Sequence, residues 1–256
     1  MTEFISVDIV DDIATITLDR PERRNALTLT MLRDLMAATG TVAASETRVV
    51  ILRGAGEGFT AGMDLATFAH GPLMDADPDR RYDAAHLGRA AVDALASMPQ
   101  VSIAALHGHV VGGGVVLAAA CDLRVADEAT TFSIPEIDVG IPLAWGGLER
   151  LVAEIGPSRT KEIVMTGRRF SASEAHTWGL VNTVVPDGGS AESAMVLASV
   201  IAAKARFPIT TTKRHIAEIV AGDTTRDDAL GLVAAIVGLF GISQGIVARR
   251  ERDIDL

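Results

Sequence analysis

The chain has 256 residues, 48% apolar and 22% charged, which is enough to bury a substantial core and excludes wholesale disorder. Its 23 Lys and Arg against 33 Asp and Glu leave a formal net charge of -10. That excludes nucleic-acid binding through a basic, counterion-displacing face, although local basic groups can still meet an anionic small ligand. The single cysteine, Cys121, excludes an intrachain disulfide and fits a reducing compartment. The start, MTEFISVDIVDD, lacks the layout of a signal peptide, so a cytoplasmic protein is expected.

FISVDIV (4–10) and IATITLD (13–19) read as paired strands across Asp11 and Asp12, and Thr28 caps an amphipathic helix running to about Ser45. RVVILRG (48–54) is a buried strand ending at a glycine loop, and FTAGMDL (59–65) leads into a further turn and helix. The polar HGPLMDADPDRR (70–81), broken by Pro and Gly, predicts a mobile loop suited to a lid, before a helix from roughly Tyr82 to Ser97. VSIAALHG (101–108) is a strand, VVLAAAC starts a helix after three glycines, and LRVAD and TTFSI are short strands. IPEIDVGIPLAWGG is too irregular for either periodicity, and from Leu148 onward the signals are helical apart from LVNTVV (180–185). The pattern is strand–strand–helix units followed by a helical third, an α/β chain.

Val101 to Cys121 carries no charged residue, and Gly108 with Gly112 makes a GxxxG, the pattern of paired membrane helices. Two histidines, a glycine triplet, no aromatic belt and Asp122 with Arg124 immediately after fit a buried strand, turn and helix better. Ala229 to Ile242 is uncharged but too short to span, and is expected to be buried, against another subunit.

A strand turning directly into a helix leaves the first helical amides unpartnered and puts partial positive charge there. Gly112-Gly113-Gly114 therefore fits contact between backbone and a developing negative charge, or equally close packing of helix on strand. RGAGEGF (53–59) places Phe59 where the dinucleotide fingerprint needs glycine, and GxxxxGK[ST] is absent. Neither nucleotide motif is supported. Glu136, set among Ile134, Pro135, Ile137 and Val139, is either a desolvated base or a solvated turn carboxylate.

LDRPERRNAL (18–27), FTAGMDL (59–65), HGHVVGGGVVLAAACDLRVA (107–126), FSIPEIDVGI (132–141), GGLERL (146–151) and TGRRFSASEAHTWGLVNTVVP (166–186) together resemble the crotonase, or enoyl-CoA hydratase/isomerase, superfamily. The resemblance implies a spiral of ββα units over 1–190 and a helical C-terminal trimerisation region over 191–256. It implies an acyl-CoA substrate, no cofactor beyond its CoA moiety, no metal and a homotrimer or a hexamer made of two trimers. It also implies that the amides of Met63 and Gly113 form an oxyanion hole and that Glu136 is the acid/base. CoA contacts fall on Arg24, Asn25, Ala26 and Leu27, on Ala61, Gly62, Asp64 and Leu65, and on Gly112, with Arg23 a second candidate for phosphate.

The family's hydratases carry an additional, earlier glutamate, and Val116 stands at that position. One carboxylate suffices for 3,2-enoyl-CoA isomerisation, which is the expected reaction; hydration and an acyl-CoA-binding role with little turnover are the alternatives. The aspartate of dienoyl-CoA isomerases and the dehalogenase nucleophile would fall at Ala144, which disfavours both. Asp138 reads as an exposed turn aspartate, Trp178 as packing, and Trp145 as packing or an acyl-pocket wall. His107 and His109 read as structural, Cys121 as an inert buried thiol, and His70 and His86 lie near the expected lid. In VARRERD (247–253), Arg249 replaces the family's usual aromatic.

Overall fold

A computed structural model describes residues 4–66 and 77–222. Strands β1 (Ile5–Val10) and β2 (Ile13–Leu18) pair antiparallel around Asp11, whose φ of 52° an aspartate tolerates. Helix α1 (Leu29–Ala43) begins where the Thr28 hydroxyl accepts from the Met31 amide at 3.1 Å. Strand β3 (Val49–Gly54) follows, then helix α2 (Pro78–Ala96) and strand β4 (Val101–Leu106).

The chain then leaves the first sheet at Gly108 (φ +57°), where a Cβ would strike the Glu57 carbonyl. Strand β5 (His109–Val111) starts the second sheet, and Gly112 turns directly into helix α3 (Gly113–Ala120). All eight residues of α3 are buried, so the uncharged stretch is a strand, a short strand and a core helix. No single described helix is long and apolar enough to cross a membrane.

Strands β6 (Leu123–Asp127) and β7 (Thr131–Ser133) lead to a 3₁₀ turn at Pro135–Val139. Helix α4 (Gly147–Thr166) is kinked at Gly156, before Pro157. Then come β8 (Phe170–Ser171), α5 (Ala172–Trp178), β9 (Thr183–Val185) and α6 (Ser190–Ala202).

Six strands form the main sheet in the order β1-β2-β3-β4-β6-β9, parallel except for the first pair, and β5-β7-β8 form the smaller one. The first unit gives both its strands to the main sheet, whereas β3, β4 and β6 each enter it alone and the segment after each goes to the smaller sheet or bridges to it, as Thr60 does to Val110. Both faces of β3 and β4 are covered, which is why they read as continuous apolar runs. On one face Ala194, Ala198 and Ala202 of α6, spaced one turn apart, lie on Ile51, Ile103 and Val125.

The first compact unit runs through Lys204 and includes α6, which seals the sheet. The second unit begins at Ala205 and contains helix α7 (Arg206–Val220). Helix α2 also starts earlier than Tyr82: Asp77 caps it by accepting from the Asp79 amide, and Pro78 fits its first turn, where no donor is needed. Strands β5 and β8 were not expected, since segments this short carry no period. The expected lid and His70, and the segments 229–242 and 247–253, include or lie among residues outside those described.

Candidate active site

Two chain reversals meet at the head of α3. In the loop after β3, Leu27 donates to the Gly62 carbonyl at 2.8 Å and accepts from the Asp64 amide at 2.9 Å, so in this parallel bridge the Met63 peptide faces the other way. Gly62 (φ +84°) lies close against β5, where a Cβ would stand 2.8 Å from the Val111 carbonyl oxygen. In the second reversal Gly112 (φ +53°) donates to Ser133 at 2.8 Å, and Gly113 opens α3. Among the described residues the Met63 and Gly113 amides have no backbone carbonyl partner, and both residues line one cleft of about 70 Å3.

Glu136 and Val116 line the same cleft. The 3₁₀ turn brings the Glu136 carboxyl group onto Gly112: a Cβ there would stand 3.1 Å from Cδ, with Oε1 closer still. Glu136 Oε2 is buried and has no hydrogen-bond partner among the described residues. Burial pushes the carboxyl above its ordinary value of 4.5, opposed by a hydrogen bond from its own backbone. Val116 is fully buried. Ile141, Pro142, Leu143, Ala144 and Trp145 also line it, so among the described residues the site is an apolar slot holding one carboxylate and two amides without a backbone partner.

The segment around Asn25 is bound inward. The fully buried Asn25 side chain donates to the carbonyls of Ala55, Gly58 and Phe59 and accepts from the Arg20 amide. The amides of Asn25, Ala26 and Leu27 donate to Arg20, Arg23 and Gly62, and their carbonyls accept from the Thr60 hydroxyl, the Arg20 guanidinium and the Asp64 amide, so that of the three residues only the half-buried Ala26 meets the surface. Ala61 donates to the Arg24 carbonyl, and Arg23 and Arg24 expose their side chains. Asp64 pairs with Arg20 at 2.6 Å, and that hydrogen bond holds its carboxyl below the ordinary range; Asp64 thus ties the Met63 loop to the Arg20 turn. Leu65 is exposed.

His107 and His109 reach the Gly56 and Arg24 carbonyls through Nε2, at 3.0 and 3.4 Å, and brace the glycine loop after β3. Burial lowers the His109 pKa. His86 stacks on Tyr82, Asp138 lies against Gly167, Cys121 is buried, and Trp178 packs on Phe170. Among the described residues no three His, Cys, Asp or Glu side chains form a cluster able to hold a metal ion.

Sequence reasoning missed the contact between Gly112 and the Glu136 carboxyl group and the left-handed reversal at Trp145 and Gly146. The Trp-Gly-Gly run after Pro142 was the available signal, since adjacent glycines mark a reversal.

A family profile described as Enoyl-CoA hydratase/isomerase matches residues 8–229. The chain belongs to this family. It is 36% identical to EchA13 of Mycobacterium tuberculosis over 264 residues, covering 94% of this chain and 80% of that protein. It is 33% identical to the mitochondrial Delta(3,5)-Delta(2,4)-dienoyl-CoA isomerase of Rattus norvegicus, covering 86% of this chain and 69% of that one. The crystal structure of an enoyl-CoA hydratase/carnithine racemase from Magnetospirillum magneticum superposes with a TM-score of 0.86 at 32% identity, covering 98% and 94% of the two chains. The protein is thus an enzyme of the enoyl-CoA hydratase/isomerase type with the crotonase fold, and its substrates are acyl-CoA thioesters.

Proposed function

We propose that this enzyme moves the double bond of a 3-enoyl-CoA ester to the 2-position, with Glu136 as its single acid/base and the Met63 and Gly113 amides as oxyanion donors. The observation carrying this reading is the cleft's chemistry: Glu136 is the one ionisable side chain among its described lining residues, and Val116 stands where the hydratases carry their earlier glutamate. The ionised Glu136 Oε2 takes a proton from the α-carbon. The electron pair of that C–H bond delocalises into the thioester, whose oxygen becomes an enolate held by the two amides. The protonated Glu136 then returns the proton to the γ-carbon, and the dienolate electrons close the new double bond between the α- and β-carbons.

Burial assists twice: a raised pKa makes Glu136 a stronger base, and the apolar slot strengthens the pull of the amides on the enolate. Water addition calls for a second proton-carrying group, which the Val116 isopropyl lacks. Ala144 in the lining likewise argues against a dienoyl-CoA shift.

For the CoA moiety, the exposed Arg24 and the neighbouring Arg23 are suited to phosphate, and the half-buried Ala26, held between the buried Asn25 and Leu27, offers its carbonyl to the adenine amine. Ala61, Gly62, Asp64, Leu65 and Gly112 bear on CoA through the loops that carry the two amides. A homotrimer, or a hexamer of two trimers, is in keeping with the exposed Ile137, Val139, Leu148 and Val152. A cytoplasmic location is in keeping with the single cysteine.

Product analysis with 3-enoyl- and 2-enoyl-CoA esters tests the reaction. Bond migration that falls by about 100-fold or more in Glu136→Gln is expected. Hydration surviving in that variant, or tight binding with no turnover of any ester, refutes the assignment.

A further inference from the structure

Trp145 (φ +60°) and Gly146 (φ +71°) are consecutive left-handed residues above the cleft. A bulky side chain seldom adopts that backbone, so its surroundings must hold it there. Outside the turn, Arg150 donates to the Gly146 carbonyl at 3.3 Å and to Asp93 at 2.7 Å. Arg89 donates to the same Asp93 at 2.8 Å and reaches Glu149 at 3.1 Å. Helices α2 and α4 therefore clamp the turn through one charged network.

Inside the turn, the indole occupies space left by two glycines. A Cβ on Gly88 of α2 would strike Cε2 and Nε1 and stand 2.5 Å from Cδ1. A Cβ on Gly113 would strike Cζ3 and stand 2.8 Å from Cη2. The pyrrole end of the ring thus abuts α2, and its benzene end abuts the residue that carries the oxyanion amide. Swinging the ring away from Gly113 would drive it into the α2 backbone.

We infer that Trp145 is a specificity-determining residue, a fixed wall beside Gly113 that limits the cleft to short acyl chains. This rests on Gly113 presenting its amide to the thioester oxygen, as proposed above. With the carbonyl held there, the acyl carbons run past Val116 and Glu136 toward the benzene edge, all of which line the same cleft. The indole takes the room a longer chain needs, and the α2 backbone at Gly88, directly behind it, keeps it from yielding.

Calorimetric titration with CoA, butanoyl-CoA, octanoyl-CoA and dodecanoyl-CoA tests this on wild type, Trp145→Ala and Trp145→Phe. Wild type is expected to prefer butanoyl-CoA. Trp145→Ala is expected to gain about tenfold or more for octanoyl-CoA relative to butanoyl-CoA, and Trp145→Phe a smaller gain of about threefold in the same direction. If Trp145→Ala fails to fold, the Phe variant, which keeps an aromatic ring in the apolar contacts, decides. A length profile unchanged in the folded variants, or a wild type that binds the dodecanoyl ester best, overturns the inference. Saturated esters make this measurement independent of turnover. Trp145-dependent length selection without bond migration would sink the isomerase reading and leave the role of Trp145 standing.

Discussion

Gly112→Ala is the most demanding test of how the site is built, because Gly112 contributes neither a proton nor an oxyanion donor in the proposed mechanism. Its φ of +53° and ψ of -118° lie where L side chains are strained, at about 1–3 kcal/mol. For a chain of this length that lowers the melting temperature by roughly 2–12 °C. The added Cβ would stand 3.1 Å from the Glu136 carboxyl carbon, with Oε1 nearer. Restoring ordinary separations of about 3.5 Å at both atoms moves the carboxyl group on the order of 1 Å. A displacement of that size at a reacting group lowers the rate by about 100-fold. Steady-state kinetics on the enoyl-CoA ester turned over by wild type, alongside a thermal melt, reads both effects. The loss is expected in kcat more than in KM, because the acyl-CoA contacts remain. A folded Gly112→Ala with kcat within about threefold of wild type would refute the claim that this glycine exists to admit the Glu136 carboxyl group.

Glu136 also links activity to pH. Its folded pKa is raised by burial, so the stability it contributes is fully present below the unfolded value near 4.5 and is lost as pH rises through the folded value. Glu136→Gln is therefore expected to melt above wild type at neutral pH, the difference closing in acid, while wild-type kcat/KM rises with pH through that raised value; a melting difference independent of pH would contradict this. Val116→Glu, one turn from the Gly113 amide, is expected to gain water addition to 2-enoyl-CoA and lose stability by placing a carboxylate in a fully buried position, as product analysis and a melt would show. Arg124 is 2% exposed and donates to the carbonyls of Leu180, Ala118 and Cys121 and to Glu154. Arg124→Met should cost about 3–5 kcal/mol in urea unfolding, and a change under about 1 kcal/mol would mean those acceptors find other partners.

The sequence alone determined the features that repeat or that need a particular residue. Alternating and continuous apolar runs located β1 to β4 and β6, Thr28 marked the start of α1, and six motifs in order carried the family. The glycines marked both reversals, and Glu136 and Val116 stood at readable positions because a family motif is a string. What tertiary structure decided was everything made by approach across the chain. The limit of the first unit depends on α6 covering the sheet, and β5 and β8 exist only through their partners, since two or three residues cannot form a strand alone. Asn25 and Asp64 proved to be inward ties because their partners lie some thirty residues or more along the chain. The Glu136 carboxyl against Gly112, and the Trp145 ring between Gly88 and Gly113, are packing facts. Periodicity reports which side of an element is apolar; it carries no information on which two elements will meet, and at this site that meeting is the chemistry.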